Sequence, residues 1–285
     1  MSIKKSTKIF NFFLLISSFI LLFSCVSYFW LYYGKVTKLK YEIFSRVPVP
    51  IGRVGKQNIY ADEIIFYKKL FLLTFGKEQA FQSILQTLIV NKKIEEVAEN
   101  LNLQATDAQI ENYFEILTKR TDFNDQLRKL GINIHQFKKK FIKYFIVKNN
   151  LKIWHNSQEN LNKQGYELAK KIQSQAFDQE AFSRLAAKYS QDESSNFFDG
   201  DMGLNETGDL LPEISEALTK LKLGQTSVTP SSEGIHILRL EGEDNKGFQG
   251  TKRYNFKQIF LPLLGFEDWL KAASEPVVSK IYINF

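Results

Sequence analysis

Between Phe177 and Leu240 the spacing of apolar and polar positions changes character three times, and each change marks an element. In FDQEAFSRLAAKYS, Phe182, Leu185, Ala186 and Tyr189 recur at helical spacing and predict one amphipathic helix. DGDMG, Asp199 to Gly203, then breaks the pattern with two glycines that suit a tight reversal or a positive φ. LLPEISEALTKLKLG predicts a short helix that starts near Pro212, carries Ile214, Leu218 and Leu221 on one face, and stops at Gly224. In TSVTPSSEGIHILRLEG, Ile235, Ile237 and the aliphatic part of Arg239 alternate with His236, Leu238 and Leu240, as in a strand buried on both faces.

Upstream, IGRVGKQNIYADEI predicts a small hairpin over Ile51 to Tyr60, after which Asp62 is placed to cap a helix entering at Glu63. The next helix puts Phe81, Leu85, Leu88, Ile89 and Leu101 in a buried stripe, with Lys92, Lys93, Glu95, Glu96 and Glu99 on a wet face. Another helix begins at Thr106, and a loop near Gly131 precedes the basic segment HQFKKKFIKYFIVKNNLKIW. There Phe137, Phe141, Tyr144, Phe145 and Trp154 interleave with lysines; aromatics filling a core beneath a solubilising face is the reading preferred over stacking on nucleic-acid bases. Downstream, YNFKQIFLPL, Tyr254 to Leu263, reads as one more strand, and KIYINF, Lys280 to Phe285, alternates like an edge strand able to pair with the Ile51–Tyr60 hairpin.

Composition adds an envelope context. The 285 residues carry a net charge of +7, enough chain for two modest domains. Ile9 to Tyr33 is a run of 25 residues without a formal charge, against about 20 needed to cross a bilayer. Its length and the aromatics at its outer end favour an uncleaved anchor, while Leu22-Phe23-Ser24-Cys25 offers lipidation of Cys25 as the alternative. Cys25 is the single cysteine, so the remainder has no disulfide framework. The three histidines stand far apart without a ligand spacing, and there is no phosphate loop, dinucleotide fingerprint or nucleophile elbow. The expectation is therefore no metal, no cofactor and no nucleic acid.

AFSRLAAKYSQDESS, GDMG, the LPEISEAL helix, LKLGQTSVTP and EGIHILRL, in this order, resemble the successive blocks of a parvulin (PpiC-type rotamase) domain over roughly 65 residues. The hairpin, long helices, NLQATDAQIENYF and basic helix before them resemble the N-terminal domain of the SurA, PrsA and PpiD group of extracytoplasmic foldases. Hydropathy and the prolines of VPVP divide the N-terminus into a cytoplasmic tail 1–8, an anchor or signal segment 9–33 and a linker 34–50; the resemblance implies an α+β chain beyond it, with a mostly helical chaperone-like domain 51–160, a parvulin-like domain 161–264 with a small antiparallel sheet surrounded by helices, and a tail 265–285.

It also implies chemistry. Parvulins rotate Xaa-Pro bonds, and carried over by motif, Asp192 sits at an acidic or cysteine position and His236 at the second of two histidines. Leu210 stands where a pocket methionine is expected and Ile214 where a phenylalanine is expected, with Met202 in GDMG as a further substrate-binding candidate. The first histidine has no counterpart before the helix; the matching strand is Tyr254–Leu263, where Gln258 takes its place, and of a second repeat starting at Arg253 or a strand closing the domain from its C-terminal side the latter is favoured. The site is thus degenerate by this pattern. Two functions follow from the resemblance: a peptidyl-prolyl isomerase foldase, or a membrane-tethered chaperone whose parvulin domain is inactive. Either works on unfolded or proline-containing exported polypeptides, with the bulk of the chain outside the cytoplasmic membrane, in the periplasm, held by the N-terminal segment or by a lipid.

Overall fold

The structure, a computed structural model, describes residues 40–282 apart from 41, 45, 46, 78, 119–122 and 193–195. Both Ile9–Tyr33 and Cys25 lie outside the described residues, and among the described ones no helix is long and apolar enough to cross a membrane. The chain divides into two packed units. One contains the described residues up to Asn100, Thr106–Tyr144 and those from Ser274 on; the other contains Leu101–Ala105 and Phe145–Ala273.

In the first unit, β1 (Pro50–Val54) and β2 (Gln57–Tyr60) form a hairpin through the turn at Gly55, whose φ is 52°. A third strand completes this sheet from the far end of the chain. β7 (Ser279–Ile281) lies antiparallel to β1, with Gly52 opposite Ile281 and Val54 opposite Ser279. Helix α1 (Ala61–Phe75) starts earlier than Asp62 as a cap would require. Tyr60 is the capping residue: its N–H donates to the Glu63 carboxylate at 2.9 Å, and Asp62 pairs instead with Lys140. Helix α2 (Phe81–Asn100) buries Leu85, Leu88 and Ile89 as the periodicity predicts, but Phe81 and Leu101 are only half-buried. Glu96 is not on a wet face. It is 7 % exposed and accepts from the backbone N–H of Lys56 at 3.2 Å, so the hairpin turn draws it inward.

Helices α3 (Asp107–Thr118), α4 (Phe123–Lys129) and α5 (Ile134–Phe137) follow, with Asn133 Oδ1 capping α5. The basic helix then widens into a π turn, Lys138–Ile142, before α6 (Lys143–Ser157). That extra residue rotates the pattern: Phe137, Ile142, Ile146, Val147 and Leu151 are buried, whereas Phe145 is exposed. The expected aromatic core is therefore mostly aliphatic.

The second unit is a four-stranded antiparallel sheet between helices, in the order β3-β6-β5-β4. Its strands are β3 (Asp201–Glu206), β4 (Thr226–Pro230), β5 (Gly234–Asp244) and β6 (Arg253–Pro262). Ile235, Ile237, Ile259 and Leu261 face α7 (Lys163–Gln175) and α8 (Gln179–Tyr189), meeting Tyr166, Ile172, Phe182 and Ala186. On the opposite face Leu238, Leu240, Tyr254 and Phe256 pack against Ile214 and Leu218 of α9 (Pro212–Lys220). Pro212 opens α9 without losing a bond, since a first-turn N–H has no intrahelical acceptor. The helix ends at Lys220, before Gly224, because Leu221 turns extended and Gly224, at φ 79°, carries the turn into β4. A last helix, α10 (Phe266–Ser274), lays Phe266 and Trp269 against His155 and, through Trp269, against Trp154.

Candidate active site

In an antiparallel pair, residues directly opposite each other share a face and next neighbours alternate. β5 places His236 opposite Phe260 and Leu238 opposite Gln258, so His236 and Gln258 lie on the sheet face that α9 covers. β4 adds Thr229 opposite His236. The two polar side chains are nearly closed off, at 4 % and 5 % exposure, and must find partners inside the protein.

They do so in one directed chain. Gln258 Nε2 donates to Asp192 Oδ2 at 3.1 Å, which turns its Oε1 towards His236 Nδ1 at 2.9 Å. The reverse amide orientation would set an oxygen against a carboxylate. Nδ1 of His236 therefore carries the proton and donates. At the other side of the ring, Nε2 lies 2.7 Å from Ser231 Oγ. That hydroxyl already accepts the backbone N–H of Glu233 at 3.0 Å, and it donates its single proton to Nε2. Burial pushes the His236 pKa below its ordinary value of 6.5, against the opposing pull of Gln258, Asp192 and Glu233. A neutral imidazole with a defined tautomer results, its centroid 5.0 Å from that of the Phe260 ring and tilted 35° to it.

Local backbone bonds bring Asp192 to the chain. After α8 ends, the Gln191 N–H donates to the Phe260 carbonyl at 2.8 Å, and Ser190 Oγ accepts from the Phe260 N–H. The segment thereby runs beside β6 and leaves Asp192, half-buried, within reach of Gln258. The return leg is held too, since the Gln258 N–H donates to the Gly200 carbonyl at 2.8 Å. Gly200 has φ 82°, and a Cβ there would sit 2.8 Å from the Ala186 Cβ and 2.9 Å from the Gln258 carbonyl oxygen, so only glycine fits. Between the two legs Phe197 and Phe198 are 85 % and 63 % exposed, packed edge to face.

Of the residues singled out by sequence, Asp192, His236 and Gln258 are thus bonded to one another. Met202 and Leu210 are half-buried beside Ile214, which is 5 % exposed and packs into the α9 core more than it lines an opening. Cys25 lies outside the described residues. Between α9 and the edge strand β4 an open groove of about 310 Å³ is lined by residues that include Glu213, Leu221, Ser227 and Thr229. Burial raises the pKa of Glu213 there. Ser231 and Phe260 were missed. Ser231 was legible only as a small polar residue opening the SSEG turn, where a hydroxyl often bonds the backbone two residues on.

The family whose pattern fits this arrangement is the rotamase family, described as the PPIC-type PPIASE domain, which matches residues 149–242. The chain carries a PPIC-type rotamase domain. Gln258 and all of β6 lie beyond the matched residues, although β6 is a central strand of the rotamase sheet. Among curated proteins, the chain is 26 % identical over 240 residues to "Foldase protein PrsA" of Caldanaerobacter subterraneus subsp. tengcongensis, covering 76 % of this chain and 74 % of that one. To "Foldase protein PrsA 2" of Bacillus anthracis it is 29 % identical over 198 residues, 62 % of this chain and 65 % of the relative. "Chaperone SurA" of Hydrogenovibrio crunogenus matches at 35 % over 81 residues, 28 % of this chain and 18 % of the relative. A solved structure of the Bacillus anthracis peptidylprolyl isomerase PrsA overlaps 67 % of this chain and 88 % of that one at 20 % identity, with a TM-score of 0.24. Among the described residues no group of acidic, histidine or cysteine side chains is arranged to hold a metal.

Proposed function

We propose that the chain is a peptidyl-prolyl cis/trans isomerase foldase that assists folding of exported proteins. The observation that carries this reading is the bonded run Ser231–His236–Gln258–Asp192 on the α9 face of a rotamase sheet. Rotation about an Xaa-Pro bond faces a barrier of about 18–20 kcal/mol set by amide resonance, and it needs no covalent step. What it needs is a surface that fits the twisted amide better than the planar one. Met202 and Leu210 supply half-buried apolar contacts for the proline ring. Asp192 is the half-exposed end of the run and sets a carboxylate where the client's carbonyl turns, while the closed-off His236 and Gln258 orient it without touching the client. The absent first histidine and the absent aromatic at Ile214 make the turnover slow.

We propose further that the N-terminal segment Ile9–Tyr33 anchors the chain in the cytoplasmic membrane with its bulk in the extracytoplasmic space, Cys25 lipidation being the alternative tether. The domain division offered for this function is a helical chaperone-like part, 51–160, and a rotamase part, 161–264. A second reading, a tethered chaperone with an inactive rotamase domain, is favoured by the 4 % exposure of His236 and by the exposed Phe197–Phe198 pair. One experiment separates them: exchange NMR on an Ala-Pro peptide with the full chain, its Asp192→Ala variant, and an aggregation assay on an unfolded client. Exchange that speeds with the wild type and drops at least tenfold in the variant supports the isomerase. No acceleration, with aggregation still suppressed, supports the chaperone and refutes the isomerase.

A further inference from the structure

The polar run does not end at Ser231. The hairpin turn that bears this residue closes by itself, through the Ser231 N–H donating to the Gly234 carbonyl at 2.8 Å. That backbone bond does not fix where the turn sits above the ring of His236. A second grip does. Asn156, at the end of α6 and 75 residues away in sequence, donates from Nδ2 to the carbonyls of Ser231, at 2.8 Å, and Ser232, at 3.3 Å.

The chemistry of Asn156 allows one orientation. Two carbonyl oxygens require donors, so the amide nitrogen faces the turn, and Oδ1 is left 3.1 Å from the Nδ1 of His155, which must then be the donor. The helix end is itself pinned: Tyr166 donates its hydroxyl to the Asn156 carbonyl at 2.8 Å, and Asn162 donates to the His155 carbonyl at 2.7 Å. Burial raises the Tyr166 pKa to about 12, which keeps that hydroxyl a donor. Asn156 is 1 % exposed, Ser231 0 % and His155 3 %, so water does not substitute for any of these partners.

We propose that Asn156 is a positioning residue for the candidate site: by fixing the Ser231–Ser232 turn it aims the Ser231 hydroxyl at His236 Nε2 and so holds in place the ring whose Nδ1–H Gln258 sets. The proposal rests on the isomerase reading for its functional meaning and on geometry alone for its structural part. A hydrogen bond of 2.7 Å weakens sharply once the turn slips by a few tenths of an ångström and the angle opens. Without it, Nε2 becomes a buried acceptor with no donor, and an imidazolium formed there has lost the hydroxyl oxygen that could accept its Nε2–H. The ring keeps its Nδ1–H on Gln258, but Nε2 is stranded and charging becomes harder.

The test is nitrogen NMR of the full chain labelled in its three histidines, with His236 assigned through His236→Gln. In the wild type His236 reports the Nδ1–H tautomer. In a folded Asn156→Ala variant the Nδ1–H tautomer holds, the Nε2 resonance moves to that of an acceptor without a donor, and the titration midpoint of His236 falls by roughly 0.7 unit, the margin of a charge-assisted hydrogen bond over a neutral one. An unchanged Nε2 resonance and midpoint in that folded variant overturn the proposal. If Asn156→Ala does not fold, Ser231→Ala removes the same hydroxyl, and the same downward shift is required of it; no shift overturns the proposal equally. These readings need no turnover. A wild type that fails to accelerate peptide exchange while the shift is present refutes the isomerase reading and leaves the positioning role standing. Where acceleration is present, the histidine limb of the pH–rate profile moves with the midpoint.

Discussion

Replacing Gln258 with leucine tests the buried run at its middle. The side chain is close in volume and sits at 5 % exposure, so little packing changes, but both amide bonds vanish. His236 keeps its Nδ1–H with no acceptor, which costs about 1–3 kcal/mol for a buried donor. Asp192 loses one bond but is half-buried, and water makes good part of it, leaving about 1 kcal/mol. The buried leucine methyls return about 1 kcal/mol. The balance is a loss of about 2 kcal/mol, or about 8 °C in Tm for a unit of this size. Both tryptophans among the described residues, Trp154 and Trp269, belong to this unit, so urea unfolding followed by tryptophan fluorescence reads it selectively. Pairing Gln258→Leu with His236→Phe closes a cycle: the double variant loses less than the sum of the single ones, because the stranded donor is gone. A loss under about 0.5 kcal/mol in Gln258→Leu, the range of an ordinary surface change, or strict additivity in the cycle, refutes the hydrogen-bond run as drawn.

Because the folded pKa of His236 lies below its ordinary 6.5, the unfolded chain binds more protons beneath that value; stability is full above pH 6.5 and falls as pH drops towards the folded pKa. Urea midpoints measured across that window lose this slope in His236→Gln, and a slope that persists unchanged contradicts the buried neutral imidazole. Gly200→Ala, which forces a Cβ against Ala186 and the Gln258 carbonyl at a φ of 82°, destabilises the unit by about 2 kcal/mol or more and lowers the Tm accordingly; calorimetry giving a loss within 0.5 kcal/mol argues against the close approach. Deleting Val277–Phe285 removes β7 and the Val278 carbonyl that accepts the Gly55 N–H, so the first unit loses about 2 kcal/mol and its hairpin amides exchange faster. Unaltered exchange at Gly52–Gly55 is the result that sinks it.

Periodicity revealed the elements that bury one face. The α8 stripe, the Pro212 helix and the alternation of His236 with Ile237 were all legible, because each rests on local spacing. Gln258 was legible only through its strand, by analogy with a motif. What escaped depends on tertiary geometry that leaves no local mark. Glu96 looks like a solvent-facing helix residue until the hairpin turn is placed over it. Phe145 looks like core until a π turn rotates the helix. Ser231 and Asn156 carry ordinary turn and helix-end chemistry, and only their meeting across 75 residues gives them a role.

The strand order has a consequence for how the chain is made. β6 lies between β3 and β5, yet it follows both, and β7 joins β1 across more than 220 residues. During synthesis, β3 and β5 have no partner in common until residue 262 has emerged, and the first sheet lacks its third strand until residue 281. Neither sheet can therefore close vectorially; one waits open for residue 262 and the other for residue 281.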